Sequence, residues 1–263
     1  MTSPLFQQFL PKKLIEDCEV VISLSLFDLN QTYKRTIIGP WWSTIQISIW
    51  CAAMTVVYGQ LIGVRETDHI KWITCGMMGW QWVAGVINVG GGVFVSNKNK
   101  LENHCINNDL LSWAMGLRFV IIFLHQSVLV FLLFLFGILE ISLTTFLVLP
   151  SILICFFVSI PVINVIGITF ARIRDIQRFV SSIMVIFMMV TPVFWFPDMI
   201  QGTRRLIVDY NPFYHIIEII RQPLLGNIPT YENYAFVFGV FGFFLILQRL
   251  IYTPNKSKII FWI

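Results

Sequence analysis

The chain has 263 residues, of which 57% are hydrophobic, 15% aromatic and only 12% charged, where an average soluble domain carries about 25% charged residues. That balance excludes a soluble enzyme, a disordered chain and a disulfide-rich secreted domain, and the long apolar runs argue against a transmembrane β-barrel with its short alternating strands. The net charge of +4 is too small and too scattered for a nucleic-acid reader.

In chain order, the first 40 residues lack an apolar core with a small-residue cleavage site, so no cleavable signal peptide is expected. From Val20 to Ile38, the residues Ile22, Leu26, Leu29, Tyr33 and Ile37 recur at helical spacing. They predict an amphipathic helix lying in the cytoplasmic membrane interface, ended by Gly39 and Pro40. Six apolar windows then predict spanning helices at about 43–64, 70–95, 115–138, 141–170, 178–197 and 233–252. Each must be helical, because backbone groups in lipid need partners within their own segment. Trp41, Trp42 and Trp195 stand at predicted span ends, where amphipathic aromatics favour the interface.

Between the second and third windows, residues 96–109 (SNKNKLENHCINND) are polar. A short exposed helix and a solvated loop are both open readings. Arg118 and His125 lie seven residues apart on one face of the third window. As ionisable groups within an apolar span they are candidates for a polar substrate path. Snorkelling of Arg118 and a hydrogen bond from His125 to a neighbouring helix are the structural alternatives. Trp80 and Trp195 are candidates for an aromatic wall on that path; packing or lipid contact is the plainer reading of such residues. Pro150, Pro161 and Pro192 fall within predicted spans and can kink them.

Residues 197–232 form a long connection, and within it the stretch NPFYHIIEIIRQPLLG, Asn211 to Gly226, carries an apolar helical face. It is too short to cross and too apolar for water, which predicts a re-entrant or interfacial helix. The resulting fold class is an all-α integral membrane protein. It has six transmembrane helices, an N-terminal cytoplasmic interfacial amphipathic helix and a re-entrant periplasmic helical segment between spans five and six. The domain reading is a cytoplasmic segment at 1–42, a transmembrane domain at 43–252 and a cytoplasmic tail at 253–263. Lys12, Lys13, Lys34, Arg35, Lys98, Lys100, Arg172, Arg174, Arg178, Arg249, Lys256 and Lys258 flank one side; Arg65, Lys71, Arg204, Arg205 and Arg221 fall on the other. The excess predicts cytoplasmic termini.

The sequence contains no GxxxxGK[ST] loop, GxSxG elbow or HExxH pair, and its histidines and cysteines show no metal spacing. Active transport would therefore need a separate ATPase chain.

Several stretches together resemble a family. Asp28-Leu29 with Tyr33-Lys34-Arg35-Thr36-Ile37-Ile38-Gly39-Pro40-Trp41-Trp42 resembles D-L-x-x-x-Y-x-R-[ST]-x-[LI]-G-P-x-W of polysaccharide-exporting ABC-2 permeases. RFVIIFLHQ at 118–126 is similar to the R-N-L-I-I-F-x-H-N stretch of the O-antigen branch, with Gln for Asn at its end. ARIRDI at 171–176 is similar to A-R-F-R-D-I, with Ile for Phe. TPVFW at 191–195 resembles T-P-I-F-W, and residues 211–226 resemble N-P-F-Y-H-L-I-E-x-x-R-x-P-L-L-G. The first 20 residues and the 97–110 loop match poorly. The resemblance implies a homodimeric transmembrane subunit working with two copies of a separate ABC ATPase. That pair would export undecaprenyl-diphosphate-linked O-polysaccharide across the bacterial inner membrane. ATP and Mg would reside on the partner, with no cofactor or metal on this chain.

The resemblance also implies residue roles. Tyr33, Lys34 and Arg35 lie where the lipid-linked substrate would be admitted. Lys98, Lys100, Glu102, Asn103 and His104 would contact the ATPase. Asn211, Pro212, Phe213, Tyr214, Glu218 and Arg221 would belong to a periplasmic gate. Export of teichoic acid, capsule or another lipid-linked glycan is the nearest alternative. An integral membrane enzyme acting on polyprenyl-linked sugars is a further one, although the cluster Arg172, Arg174, Asp175 and Arg178 offers a metal a single carboxylate.

Overall fold

A computed structural model describes residues 12–103 and 106–263. Among these residues every regular element is helical. The principal helices are α1 (Lys12–Thr32), α2 (Trp41–Ile62), α3 (Glu66–Asn88), α4 (Lys98–Glu102), α5 (Asn108–Leu135), α6 (Val148–Arg172), α7 (Arg174–Val190), α8 (Pro212–Leu224) and α9 (Tyr231–Leu247). Among the described residues, three helical stretches are long and apolar enough to cross a membrane: Asn108–Leu135, Leu143–Arg172 and Tyr231–Trp262. At about 1.5 Å per residue, a bilayer core of about 30 Å needs about 20 residues. The 22 residues of α2 and 23 of α3 also reach that length, while the 17 of α7 fall just short of it.

Local sequence explains the helix ends. Gly63 closes α2 in the left-handed region at φ 70°, which a residue without Cβ adopts freely. Asn107 caps α5 and Thr230 caps α9 by accepting backbone N–H bonds. Glu66 and Asp68 occupy the first turn of α3, where carboxylates meet the positive end of the helix dipole.

Several predicted boundaries shift. The second window, expected to run to residue 95, stops as α3 at Asn88. Gly90–Gly92 then form a tight 3-10 turn before a short helix at Val93–Ser96. Three consecutive glycines are poor helix formers, and the first two leave no room for a side chain. A Cβ on Gly90 would lie 2.8 Å from Ile163, and one on Gly91 2.5 Å from Phe170. The break lets the chain press directly against α6. The third helix starts at Asn108, seven residues before the predicted edge. Pro192 lies outside any helix, because α7 ends at Val190 and Thr191 is extended. The loss of a backbone donor at Pro192 therefore kinks nothing.

The N-terminal amphipathic helix also differs from its expected form. It ends at Thr32, so Tyr33, Lys34 and Arg35 lie in the following turn, with Arg35 at φ 67°. Its buried face is Leu24, Ser25 and Leu29, packed on α5. Ile22 and Leu26, two members of the predicted stripe, are exposed with Phe27. The helix thus has two apolar faces, one for protein and one left outward.

Contacts gather at two ends of the bundle. At one end, Lys98 Nζ donates to the Ile263 carbonyl at 2.8 Å, and Lys100 bonds Asp28 at 3.0 Å. There, Tyr252 and Lys256 both bond Asp109, and the Arg172 guanidinium lies 5.5 Å from the Trp262 ring. Residues 253–263, expected as a tail, form short helical turns that bury Ile259 and Ile263. At the other end, Thr144 donates to the Gly226 carbonyl at 2.6 Å, tying the loop before α6 to the end of α8.

Candidate functional site

Four deeply buried polar residues, His69, Thr191, Glu218 and Arg221, converge where α3, α8 and the segment after α7 meet. Residues 191–195 leave helical conformation; the Thr191 carbonyl accepts from the Val193 N–H at 2.7 Å, while the Pro192, Phe194 and Trp195 carbonyls turn to side chains. His69 Nε2 donates to the Phe194 carbonyl at 2.9 Å, and Trp72 Nε1 to the Trp195 carbonyl at 3.1 Å. Arg221 Nη1 donates to the Pro192 carbonyl at 2.8 Å. Two helices thereby hold one non-helical turn of backbone.

Arg221 is fully buried, at 0% exposure, and pairs with Glu218, 1% exposed, one turn earlier on α8. Gln222 donates to the other Glu218 oxygen. The guanidinium lies over the Trp72 ring, 3.6 Å from its centroid. Arg221 can enter because Gly76 on α3 leaves space: a Cβ there would stand 3.0 Å from Nη1. One turn further along, Gly79 lets the Ile217 backbone approach, with a Cβ meeting Ile217 Cα at 3.2 Å. A planar, permanently charged fork that can satisfy a carboxylate and a carbonyl while stacking on indole suits Arg and not Lys.

The start of α8 is held as firmly. Asn211 caps it by accepting from the Phe213 N–H at 3.0 Å, and its own amide donates to Thr191 at 2.9 Å. Pro212 fills the first helical position, where a missing N–H costs nothing. His215 Nε2 donates to the Asp209 carbonyl at 2.8 Å, and its Nδ1 meets the Asn233 side-chain amide at 2.8 Å. The ring stacks on Phe236 at 4.0 Å. Beside it, Arg205 bonds Asp209, Asp198 and the Pro197 carbonyl. Burial counts against the Arg205 charge, but the Asp209 and Asp198 carboxylates outweigh it and hold its pKa above the ordinary value.

The remaining candidates are dispersed. Lys34 and Arg35 are exposed and Tyr33 half-buried. Arg118 is half-buried, and its Nε has no acceptor. His125 bonds the Ile121 carbonyl of its own helix, rather than a neighbouring one, and meets Trp41 edge-on at 5.3 Å. Trp80 is 4% exposed and packed on Phe213, while Trp195 is half-buried with Nε1 on the Met189 carbonyl. The 96–109 segment holds the short helix α4, whose Leu101 is buried. Lys98 and Glu102 pair at 3.5 Å. His104 lies outside the described residues.

Among the gate candidates, Asn211, Glu218 and Arg221 are buried in one polar network, and Pro212, Phe213 and Tyr214 are partly buried. Sequence reasoning missed His69, Thr191, His215 and Asn233 as members of this network. Thr191 and His215 sit inside the quoted TPVFW and NPFYH stretches. His69 and Asn233 carry no signal beyond being polar at the edge of an apolar window. Ser112 and Asn164, bonded at 2.5 Å between α5 and α6, were likewise unmarked.

The arrangement offers no nucleophile–base pair; it is a bracket that fixes a short helix against three longer elements. The family model for the ABC-2 type transporter matches residues 20–225. An O-antigen export system permease protein RfbA of Klebsiella pneumoniae is similar to this chain, 24% identical over 249 residues, which cover 91% of this chain and 92% of the relative. A second Klebsiella pneumoniae protein of that name is 24% identical over 229 residues, covering 84% and 85%.

Proposed function

This chain belongs to the ABC-2 type transporter family, and from that premise we propose that it is the permease subunit of an ATP-driven exporter of undecaprenyl-diphosphate-linked O-antigen polysaccharide in a bacterial inner membrane. It acts as a homodimer with two copies of a separate ABC ATPase, which binds ATP and Mg. Six helices cross the bilayer: α2, α3, α5, α6, α7 and α9. Both termini face the cytoplasm. Residues 1–42 carry the interfacial helix, 43–252 the transmembrane domain, and 253–263 a cytoplasmic segment.

One observation carries the reading. A thirteen-residue helix, α8, is locked by the Glu218–Arg221 pair beside residues 191–195. The segments α1, α4 and 253–263 converge elsewhere, through the Lys100–Asp28 and Lys98–Ile263 contacts. This separation supports a gate on the periplasmic side and an ATPase contact on the cytoplasmic side. Non-spanning backbone at membrane depth survives only when protein covers it, and the buried α8 meets that condition. Asn211, Pro212, Phe213, Tyr214, Glu218 and Arg221 form the gate. Lys98, Lys100, Glu102, Asn103 and His104 are the proposed contacts to the ATPase. Tyr33, Lys34 and Arg35 lie where substrate is admitted, and Trp80, Arg118, His125 and Trp195 flank its path. The names of the similar proteins support O-antigen as the substrate class.

The test is deletion of the gene in its own host, followed by analysis of surface and cytoplasmic glycans. Loss of surface O-polysaccharide with build-up of the lipid-linked form inside is the expected result. Build-up of a capsule or teichoic-acid precursor would reassign the substrate, and unchanged glycans in both compartments would overturn the reading.

A further inference from the structure

A cavity of about 680 Å³ opens between α1, α4, α5, the glycine turn after α3 and the start of α7. Its polar lining includes Asp28, Asn88, Asn97, Lys100, Arg118 and Gln177. Asp28 is the sole carboxylate among the described lining residues, and Lys100 neutralises it at 3.0 Å. Asp28 then acts on Arg118 only through space, and no ion pair to Arg118 is formed among the described residues. Arg118 stands ten residues into α5, about 15 Å along its axis. Its Nε is buried and meets no acceptor, although a buried donor without a partner is costly. Asn88 accepts from Ser181 through its carbonyl oxygen at 3.0 Å, which leaves its NH₂ free to donate.

We propose that this cavity is an anion site that takes a phosphoryl group, with Arg118 as its principal ligand and Asn88 and Gln177 as flanking amides. An orphaned cationic donor and neutral amide donors, with the one acid already paired, match phosphate oxygens in charge and in hydrogen-bond sense. The shared chemistry is a phosphate or diphosphate, and its source is either a lipid headgroup or a free anion. The lipid source rests on the exporter reading above. The site itself does not, since cavity and orphaned donor stand whatever the chain transports. Lys34 and Arg35, which the resemblance places where substrate is admitted, do not line the cavity.

The experiment titrates the full chain, reconstituted in neutral-lipid nanodiscs, with farnesyl diphosphate, inorganic pyrophosphate and farnesol, following thermal stability and binding by calorimetry. Farnesyl diphosphate is expected to bind and stabilise the protein, farnesol to do neither, and Arg118→Gln to weaken binding about tenfold. Arg178→Gln, an exposed arginine outside the cavity, leaves binding unchanged. Pyrophosphate binding as well as the prenyl diphosphate supports the site with a free anion as source; binding of the prenyl form alone supports a lipid source. Where Arg118→Gln does not fold, Gln177→Leu carries the comparison, with an expected loss of several-fold. Absence of binding by both diphosphates, or equal binding by wild type and the lining variants, overturns the proposal. A glycan-normal deletion strain would instead overturn the exporter reading and leave this measurement intact.

Discussion

Arg221 concentrates the physics of the molecule into one side chain. With 0% exposure it could not remain charged without Glu218, the Pro192 carbonyl and the Trp72 ring. Removing one partner of a buried pair leaves the other charge uncompensated, at a cost of about 3–5 kcal/mol. Arg221→Met is therefore expected to lower stability by about that amount, measured by denaturant unfolding of the detergent-purified chain. The double variant Glu218→Leu/Arg221→Met should recover much of the loss, because two well-packed apolar groups replace both charges. Equal destabilisation by single and double variants would show that packing, not charge, holds this region. The motif match points to Arg221 and Glu218, but burial and the role of Trp72 follow from the crossing of α3 and α8 at Gly76 and Gly79.

Helix α8 owes its position to its two ends as much as to its apolar face. Asn211 serves it twice, as cap and as donor to Thr191. Asn211→Ala should cost about 1 kcal/mol for the cap and more for the stranded threonine, whereas Asn211→Asp keeps the cap. A measured loss for Ala no larger than for Asp would refute the capping role. At the opposite end, Asp109 receives Tyr252 at 2.7 Å and Lys256 at 2.8 Å. Asp109→Ala is expected to free residues 253–258 and speed their cleavage in limited proteolysis, with the α8 region unchanged. The polar segment 96–109 gave two open readings, and the structure supplies a helix of five residues there. Local sequence could not decide between them, since a helix this short is marginal alone and is held here by burial of its own Leu101.

For the whole molecule, the proposed path of the chain predicts where its connections lie. Reporter fusions after residue 140 and near residue 203 should be active in the periplasm, and fusions near residue 100 and at residue 263 inactive there. Fusions placing residues 40 and 263 on opposite sides would break the six-helix arrangement. The ATPase assignment predicts that the purified chain hydrolyses no nucleotide by itself.

Composition and hydrophobic runs sufficed to establish a helical membrane protein, because an apolar window of spanning length leaves the backbone no other way to satisfy its hydrogen bonds. The 211–226 stretch was legible for the same reason: bracketing prolines, a capping asparagine and an apolar face are local signals. Tertiary structure alone decided which apolar face of α1 is covered, where the glycines break α3, and that residues 253–263 return to the bundle. It also decided the pairing of His69 with Phe194, 125 positions apart in the chain. Those outcomes depend on which surfaces meet across long sequence distances. Periodicity reports that a residue is apolar or polar, but it carries no information about the partner that waits opposite.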